Sequence, residues 1–281
     1  MDGRVIWRIL VLLIIFVATI FLVNKLDNAG VEDVSIEMEQ ATLPIVYVRY
    51  NDDFINTLHG YTGKVDTTYF RDTITPMDYG RSIELWVDQT KKNYSSYEYE
   101  LRSQYQGDLI ENGAVTDINH ADGYDKMSIS FRTKLEELQE YVLVIKAMDD
   151  NESAVRYYTR VVVENDFHAP ALLDYVEGFN DALFDKDKAE SYITKSIEPN
   201  EDGNNEYLSK VNIHSSFDTI TFADLNPTRI TKPIPSIKEI DDSYAIIQLK
   251  YMISAEENKV VENYFVTEEY RVRYAGGDNV Y

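Results

Sequence analysis

The side chains best suited to chemistry are few and far apart. Four histidines, His59, His120, His168 and His214, stand without any partner at a metal-binding spacing such as H-E-x-x-H, and each reads as a surface or boundary residue. Cysteine is absent, which excludes disulfides, thiolate zinc sites, iron–sulfur clusters and a cysteine nucleophile. No G-x-S-x-G elbow occurs, so the strongest sequence sign of a serine hydrolase is missing. Gly60-Tyr61-Thr62-Gly63-Lys64-Val65 has the look of a phosphate loop, but its glycine spacing is too short and Val65 lacks the hydroxyl that would hold a metal ion. There is no dinucleotide fingerprint.

Two acidic stretches have oxygen ligands of the kind calcium prefers. Glu198, Asn200, Asp202 and Gly203 follow the start of an EF-hand loop loosely, with Glu198 where aspartate is usual and Ser209 at the twelfth position in place of glutamate. Asp149, Asp150, Asn151 and Glu152 form the second stretch. Both read as solvated turns, so no catalytic, cofactor-binding or metal-binding residue is assigned. The 22 tyrosines invite a sugar- or protein-binding interpretation, because tyrosine joins apolar area to a polar tip. Tyr97 and Tyr99 share a face with Leu101 and are expected in a core, whereas Tyr94, Tyr105 and Tyr158 are expected to be freer. Asn93-Tyr94-Ser95 and Asn151-Glu152-Ser153 match the glycosylation pattern, one short enough to arise often by chance.

The element that locates all of these is at the front. Residues 5–23, VIWRILVLLIIFVATIFLV, are apolar apart from Arg8 and Thr19. At about 1.5 Å of rise per residue such a helix nearly crosses a hydrocarbon core of roughly 30 Å. It is expected to be an uncleaved transmembrane anchor, with residues 1–23 forming the cytoplasmic tip and the span. Arg4 and Arg8 lie at its start, while Lys25 is soon outweighed by Asp27, Glu32 and Asp33, so the N-terminus is expected inside and the bulk of the chain outside. Arg8 can snorkel to the head groups and Trp7 suits the same layer. A cleaved secretory signal is the competing reading, but no small-x-small pair follows soon after Val23. Residues 24–42 are acidic, lack a sustained apolar period, and read as a juxtamembrane linker.

The net charge is −22, from 27 basic and 49 acidic side chains. That sign argues against nucleic acid and against adhesion to an anionic membrane face. The hydrophobic content of 44% is enough to build cores, so general disorder is not expected. An exported chain without disulfides leans towards a bacterial source.

From Pro44 the texture changes to short alternating runs. Residues 45–50 are the first. Ser82 to Asp88 sets Ile83, Leu85 and Val87 against Glu84, Trp86 and Asp88, and Ser96 to Ser103 sets Tyr97, Tyr99 and Leu101 against Glu98, Glu100 and Arg102. Residues 127–131, 141–147 and 155–163 follow. Period two in segments of this length predicts half-buried strands of an antiparallel sandwich. Leu135, six places before Tyr141 in LEELQEYVLVIKA, resembles the E–F corner and strand F of fibronectin type III and related immunoglobulin-like domains. The resemblance implies such a module over residues 43–165, with SIELWVD, YEYELRS and VRYYTRVVVE as strands B, C and G. It also implies that the Tyr141 hydroxyl bonds back to the preceding loop. Glu-Glu-Leu-Gln-Glu, between Leu135 and Tyr141, departs from the family and is expected to form a short helical turn.

Residues 165–170 read as a boundary, with Pro170 in the first turn of a helix. Leu172, Val176, Phe179 and Leu183 recur on one face, and DKDKAESYITKSI follows as a second helix. FNDALFDKDKAESYIT resembles the opening of a nuclear-transport-factor-2-like (NTF2-like, cystatin-like α+β) domain, here residues 166–281. Its curved sheet would come from residues 219–222, 237–240, 244–253 and 263–274. The whole fold class is thus a transmembrane helix, an all-β antiparallel sandwich and an α+β domain. If that last domain needs one more strand, the sequence is expected to be incomplete at its C-terminus.

The implied function is non-catalytic: a membrane-anchored extracytoplasmic binding or scaffold protein of the bacterial cell envelope, with an envelope protein or glycan as partner. The alternative is an enzyme or small-ligand sensor using the pocket of the second domain, with Asp174, Asp181 and His214 as the nearest polar candidates.

Overall fold

The computed structural model describes residues 3–27, 43–90, 92–151, 153–163, 167–257, 259–276 and 280–281. Residues 28–42 of the linker expected at 24–42, Glu152, and Asn165 and Asp166 of the expected boundary lie outside them, while residues 24–27 belong to the first helix. The chain divides into two units, Met1–Thr42 and Leu43–Tyr281.

The first unit contains α1 (Gly3–Asp27), 25 residues without an acidic residue in its first turn. Its side chains from Leu12 to Ile20 are exposed. Among the described residues no helix is long and apolar enough to cross a membrane.

The second unit is mostly β. The strands of its first part are β1 (Val46–Tyr50), β2 (Asp53–Leu58), β3 (Ile74–Met77), β4 (Ser82–Asp88), β5 (Ser96–Ser103), β6 (Leu109–Ala114), β7 (Ile118–Ala121), β8 (Tyr124–Ser130), β9 (Glu140–Met148) and β10 (Ala154–Val163). They form two five-stranded sheets, ordered β2-β1-β4-β8-β7 and β3-β10-β9-β5-β6. Every pairing is antiparallel except β3 with β10. The inward residues are those that the alternation marks: Ile83, Leu85 and Val87 of β4 meet Tyr97, Tyr99 and Leu101 of β5 and Leu143 and Ile145 of β9 in one core. β9 is buried on both faces, because residues around Val65 and Phe70 cover its outer side chains Val142 and Val144. That is why VLVI reads as a continuous apolar run rather than an alternation.

Leu135 is buried and the backbone N–H of Glu136 donates to the Tyr141 hydroxyl at 2.9 Å. The segment between them is no helical turn. Leu138 is left-handed at φ 59°, and its N–H is held by the carbonyl of Val163, so the corner is anchored to β10. Tyr141→Phe removes one acceptor from a part-buried N–H and is expected to cost about 1 kcal/mol in urea unfolding. An unchanged midpoint would show that the corner holds without it.

The rest of the chain adds α2 (Ala169–Ala182), α3 (Lys186–Ile193) and α4 (Phe217–Ile220), then β11 (Thr228–Arg229), β12 (Ser236–Ile240), β13 (Tyr244–Glu257) and β14 (Val260–Arg273). β13 pairs with β14 along one side and with β12 and β11 along the other. Pro170 does sit in the first turn of α2, whose Leu172, Leu173 and Val176 are buried. Residues 219–222, expected as a strand, instead overlap α4. Ser216 accepts from the N–H of Thr219 at 3.2 Å, and this cap outweighs the strand preference of the β-branched run.

The sandwich and the third sheet meet in one polar joint. Asn56, fully buried and left-handed at φ 51°, is the residue skipped by the register shift between β1 and β2. Its amide nitrogen donates to the Ile74 carbonyl (2.8 Å) and to Thr75 Oγ1 (3.0 Å). Its Oδ1 accepts from the N–H of Ile237 (2.8 Å), and its own N–H donates to the Pro235 carbonyl (2.8 Å). Beside it the Arg160 guanidinium reaches Glu140 Oε2 (2.9 Å) and the Lys238 carbonyl, and Lys238 Nζ reaches Asp72 Oδ1 (2.7 Å).

Candidate functional site

The inner face of the third sheet carries a half-buried carboxyl held by three side-chain donors. Alternation along β14 turns Glu268 and Tyr270 towards α2. Glu268 Oε1 accepts from the Tyr251 hydroxyl (2.6 Å), and Oε2 accepts from the Tyr270 hydroxyl (2.7 Å) and Asn180 Nδ2 (2.7 Å). Arg229 closes the group, donating to Asn180 Oδ1 and Asp181 Oδ1 at 2.7 Å each while its guanidinium lies 4.4 Å from the Phe184 ring centre. Burial pushes the Glu268 carboxyl above its ordinary pKa, against the pull of its three donors and Arg229.

A buried acid with a raised pKa is what a general acid or base requires. Access is what it lacks here. The helix side is filled by rings: Phe179 packs on Tyr270 at 5.4 Å, Tyr175 on Tyr192 at 5.4 Å and Phe184 on Tyr251 at 6.0 Å. The clefts lined by Asp174 and Glu177 and by Arg102 and Arg156 both lie elsewhere.

The raised pKa has a definite sign in stability. A carboxyl whose pKa is higher folded than unfolded contributes stability below its unfolded value, about 4.5, that is lost as pH rises through the folded value. Glu268→Gln is therefore expected to gain on wild type between pH 4 and pH 7 in urea unfolding. A gain in the opposite direction would contradict the burial argument.

Asp174, Asp181 and His214 are not brought together. Asp174 lines a cleft with Asp53 and Glu177, Asp181 pairs with Arg229, and His214 Nδ1 lies against Asn200 Nδ2 (2.9 Å) and the Glu198 carbonyl (3.0 Å). Sequence reasoning missed Glu268 because Tyr251 reaches it from β13 and Asn180 from α2, contacts that no spacing along the chain shows.

The calcium candidates are engaged in their own turns. Asp149 Oδ1 accepts from the N–H groups of Asn151 and Ser153, and Oδ2 from Lys92. Asn200 accepts from the N–H of Asp202, and a Cβ on Gly203 would lie 1.9 Å from the His214 carbonyl oxygen, so the backbone is packed where an ion would need room. Among the described residues no group of three or more histidines, aspartates or glutamates is placed to hold a metal ion. His120 bonds to Asp125, which also takes the Tyr97 hydroxyl and Gln89. The geometry is that of a histidine with an orienting carboxylate, but among the described residues no serine or threonine hydroxyl bonds to the imidazole.

Two of the three tyrosines expected to be free are buried. The Tyr94 hydroxyl meets that of Tyr157 at 3.0 Å, and the Tyr158 hydroxyl accepts from the N–H of Val65; Tyr105 alone of the three is exposed. The aromatic surface lies instead on the outer face of the first sheet. Register brings Tyr47 opposite Trp86, Trp86 opposite Lys126, and Arg49 opposite Phe54. The Phe54 ring centre lies 5.2 Å from those of Tyr47 and Trp86, and Tyr124 lies 5.4 Å from Trp86. Lys126 Nζ sits 4.1 Å from the Trp86 ring centre, and Arg49 lies over Phe54 and Trp86 at 5.2 and 5.4 Å. All four rings are half-buried.

Such cross-strand rings stabilise a sheet by themselves. Tryptophan, tyrosine and arginine are also the residues that dominate binding energy at protein interfaces. No protein-family model matches the chain, and no curated protein is similar to it.

Proposed function

We infer that this chain is a single-pass, membrane-anchored binding or scaffold protein of the bacterial cell envelope, its N-terminus cytoplasmic and residues 43–281 outside, and that it acts without catalysis. The observation that carries the binding role is the four-ring face of Tyr47, Phe54, Trp86 and Tyr124, flanked by Arg49 and Lys126. It offers rigid apolar area with polar tips and cations at its rim. The anchor is carried by the sequence alone, in which residues 5–23 are apolar apart from Arg8 and Thr19.

The immunoglobulin-like reading of residues 43–165 is supported by the strand order, in which β1, β4, β8 and β7 stand as A, B, E and D and β10, β9 and β5 as G, F and C. The Tyr141 hydroxyl contact supports it independently. The NTF2-like reading of residues 166–281 is supported by the helix pair α2–α3 and the long β13–β14 hairpin against which α2 packs.

Location is tested by protease treatment of intact cells carrying the full chain. Residues 43–281 should be lost from the outside and a membrane-embedded stub retained. A protected chain, or one found wholly in the soluble fraction, would overturn the orientation and the anchor respectively.

A further inference from the structure

We propose that the outer face of the second sheet holds a binding site for a small phosphate-bearing anion. The groove is lined by Lys64, Val65 and Thr67 of the segment that crosses β9, by Glu100 and Arg102 of β5, by Val144 and Lys146 of β9, and by Arg156 and Tyr158 of β10. Four cations and one carboxylate line it, on a chain whose net charge is −22. Positive charge gathered in one concave place on so acidic a molecule is the reverse of what a solvated surface with this composition would supply at random.

Local pairing leaves the groove under-neutralised. Glu100 serves both Arg102, at 2.6 Å, and Lys146. Arg102 is also fixed by the Gly107 carbonyl at 2.8 Å, so its planar fork is pre-oriented. Among the described residues the Arg156 side chain has no hydrogen bond or ion pair, and Lys64 has the charge of Asp66 beside it but no ion-pair contact. The backbone of Arg156 is clamped by two 2.8 Å bonds with Tyr61, which fixes where its guanidinium emerges. The wall opposite is built, too: the Val65 N–H is held by the Tyr158 hydroxyl, and Phe70 packs on Tyr158 at 5.6 Å.

The chemistry of the occupant follows from these charges. Arginine forks and lysine ammonium groups match phosphoryl oxygens in charge-assisted hydrogen bonds. The surrounding field selects size. Within a Debye length of roughly 8 Å at physiological salt the groove dominates, whereas an extended polyanion would also meet the acidic remainder of the surface. A single phosphoryl group on a small molecule is therefore favoured over a phosphodiester polymer or an anionic bilayer. This site is separate from the aromatic face, which lies on the other sheet, and does not depend on it.

Titration calorimetry of the full chain in detergent tests this, with inorganic pyrophosphate and glycerol phosphate as probes and sulfate as a control for charge alone. Saturable binding of the phosphate probes is expected, weakened about tenfold in Arg156→Gln and again in Lys64→Gln, the loss of one charge-assisted contact each. Both side chains reach solvent, and Lys210→Gln, at a lysine that does not line the groove, should leave binding unchanged. Absence of saturable binding up to about 10 mM, where affinity is negligible, would overturn the proposal. So would equal binding by wild type and both variants, or preference for anionic vesicles over the small probes.

Discussion

Replacing Asn56 with alanine should destabilise the Leu43–Tyr281 unit by about 3–5 kcal/mol, from two buried polar groups left without partners and the cost of a left-handed alanine. The Ile237 N–H and the Ile74 carbonyl lose their side-chain partner, and Thr75 Oγ1 loses a donor. The φ of 51° suits asparagine far better than alanine. Asn56→Gly separates the two contributions, since glycine accepts the backbone conformation but restores no hydrogen bond. Because this residue ties β2 and β3 of the sandwich to β12 of the third sheet, the loss should show in cooperativity as well. Wild type is expected to unfold in one transition and Asn56→Ala in two. A single transition at an unchanged midpoint would mean that the joint contributes nothing.

Glu111 should be the carboxylate on which acid stability depends most. It is buried on β6, which alone would raise its pKa, yet donors from Thr133, from Tyr99 and from the Arg132 and Thr133 backbone hold it at about 2. The Tyr99 hydroxyl lies 2.7 Å from Oε1, and the Arg132 and Thr133 N–H groups lie 3.1 and 2.7 Å from Oε1 and Oε2. A carboxyl with a depressed folded pKa contributes stability above its unfolded value, about 4.5, and loses it as pH falls through the folded value. Glu111→Ala is expected to cost roughly 3 kcal/mol at pH 7, since two backbone donors and a phenol lose their acceptor together. The gap between wild type and Glu111→Gln should narrow steadily from pH 5 to pH 2 in urea unfolding. A gap independent of pH would show that the charge on Glu111 is not what the donors stabilise.

Much of the sandwich was legible because its strands bury one face each. Ser82–Asp88 and Ser96–Ser103 alternate cleanly, and β4 and β5 occupy those same residues. Tyr141 was legible through its distance from Leu135. β2, β3, β6 and β7 were not, for physical reasons: β2 contains the left-handed Asn56, which breaks the period, and β7 is half-exposed over only four residues. Residues 219–222 misled because β-branched composition speaks for a strand, while the deciding contact is a single hydroxyl on Ser216.

The candidate sites were the least legible part, since each is made by register rather than by spacing along the chain. Trp86 reads from sequence as an outward aromatic between two acids. Only the pairing of β1, β2, β4 and β8 sets Tyr47, Phe54, Tyr124 and Lys126 around it. Tyr94 and Tyr158 look equally free in sequence and are buried, because their hydroxyl groups find partners on Tyr157 and on the backbone of Val65.

The central claim, a binding protein that works through its aromatic face, is tested most directly by capture from solubilised bacterial envelope. The full chain serves as bait, beside Trp86→Ala and the surface variant Arg49→Glu, followed by titration of the purified partner. The account predicts one protein or glycan retained by wild type, bound roughly 30-fold more weakly by Trp86→Ala, as for loss of an interface hot spot, with the unfolding midpoint of Arg49→Glu unchanged. Equal retention by all three chains, or turnover of a substrate by the wild-type protein, would contradict it.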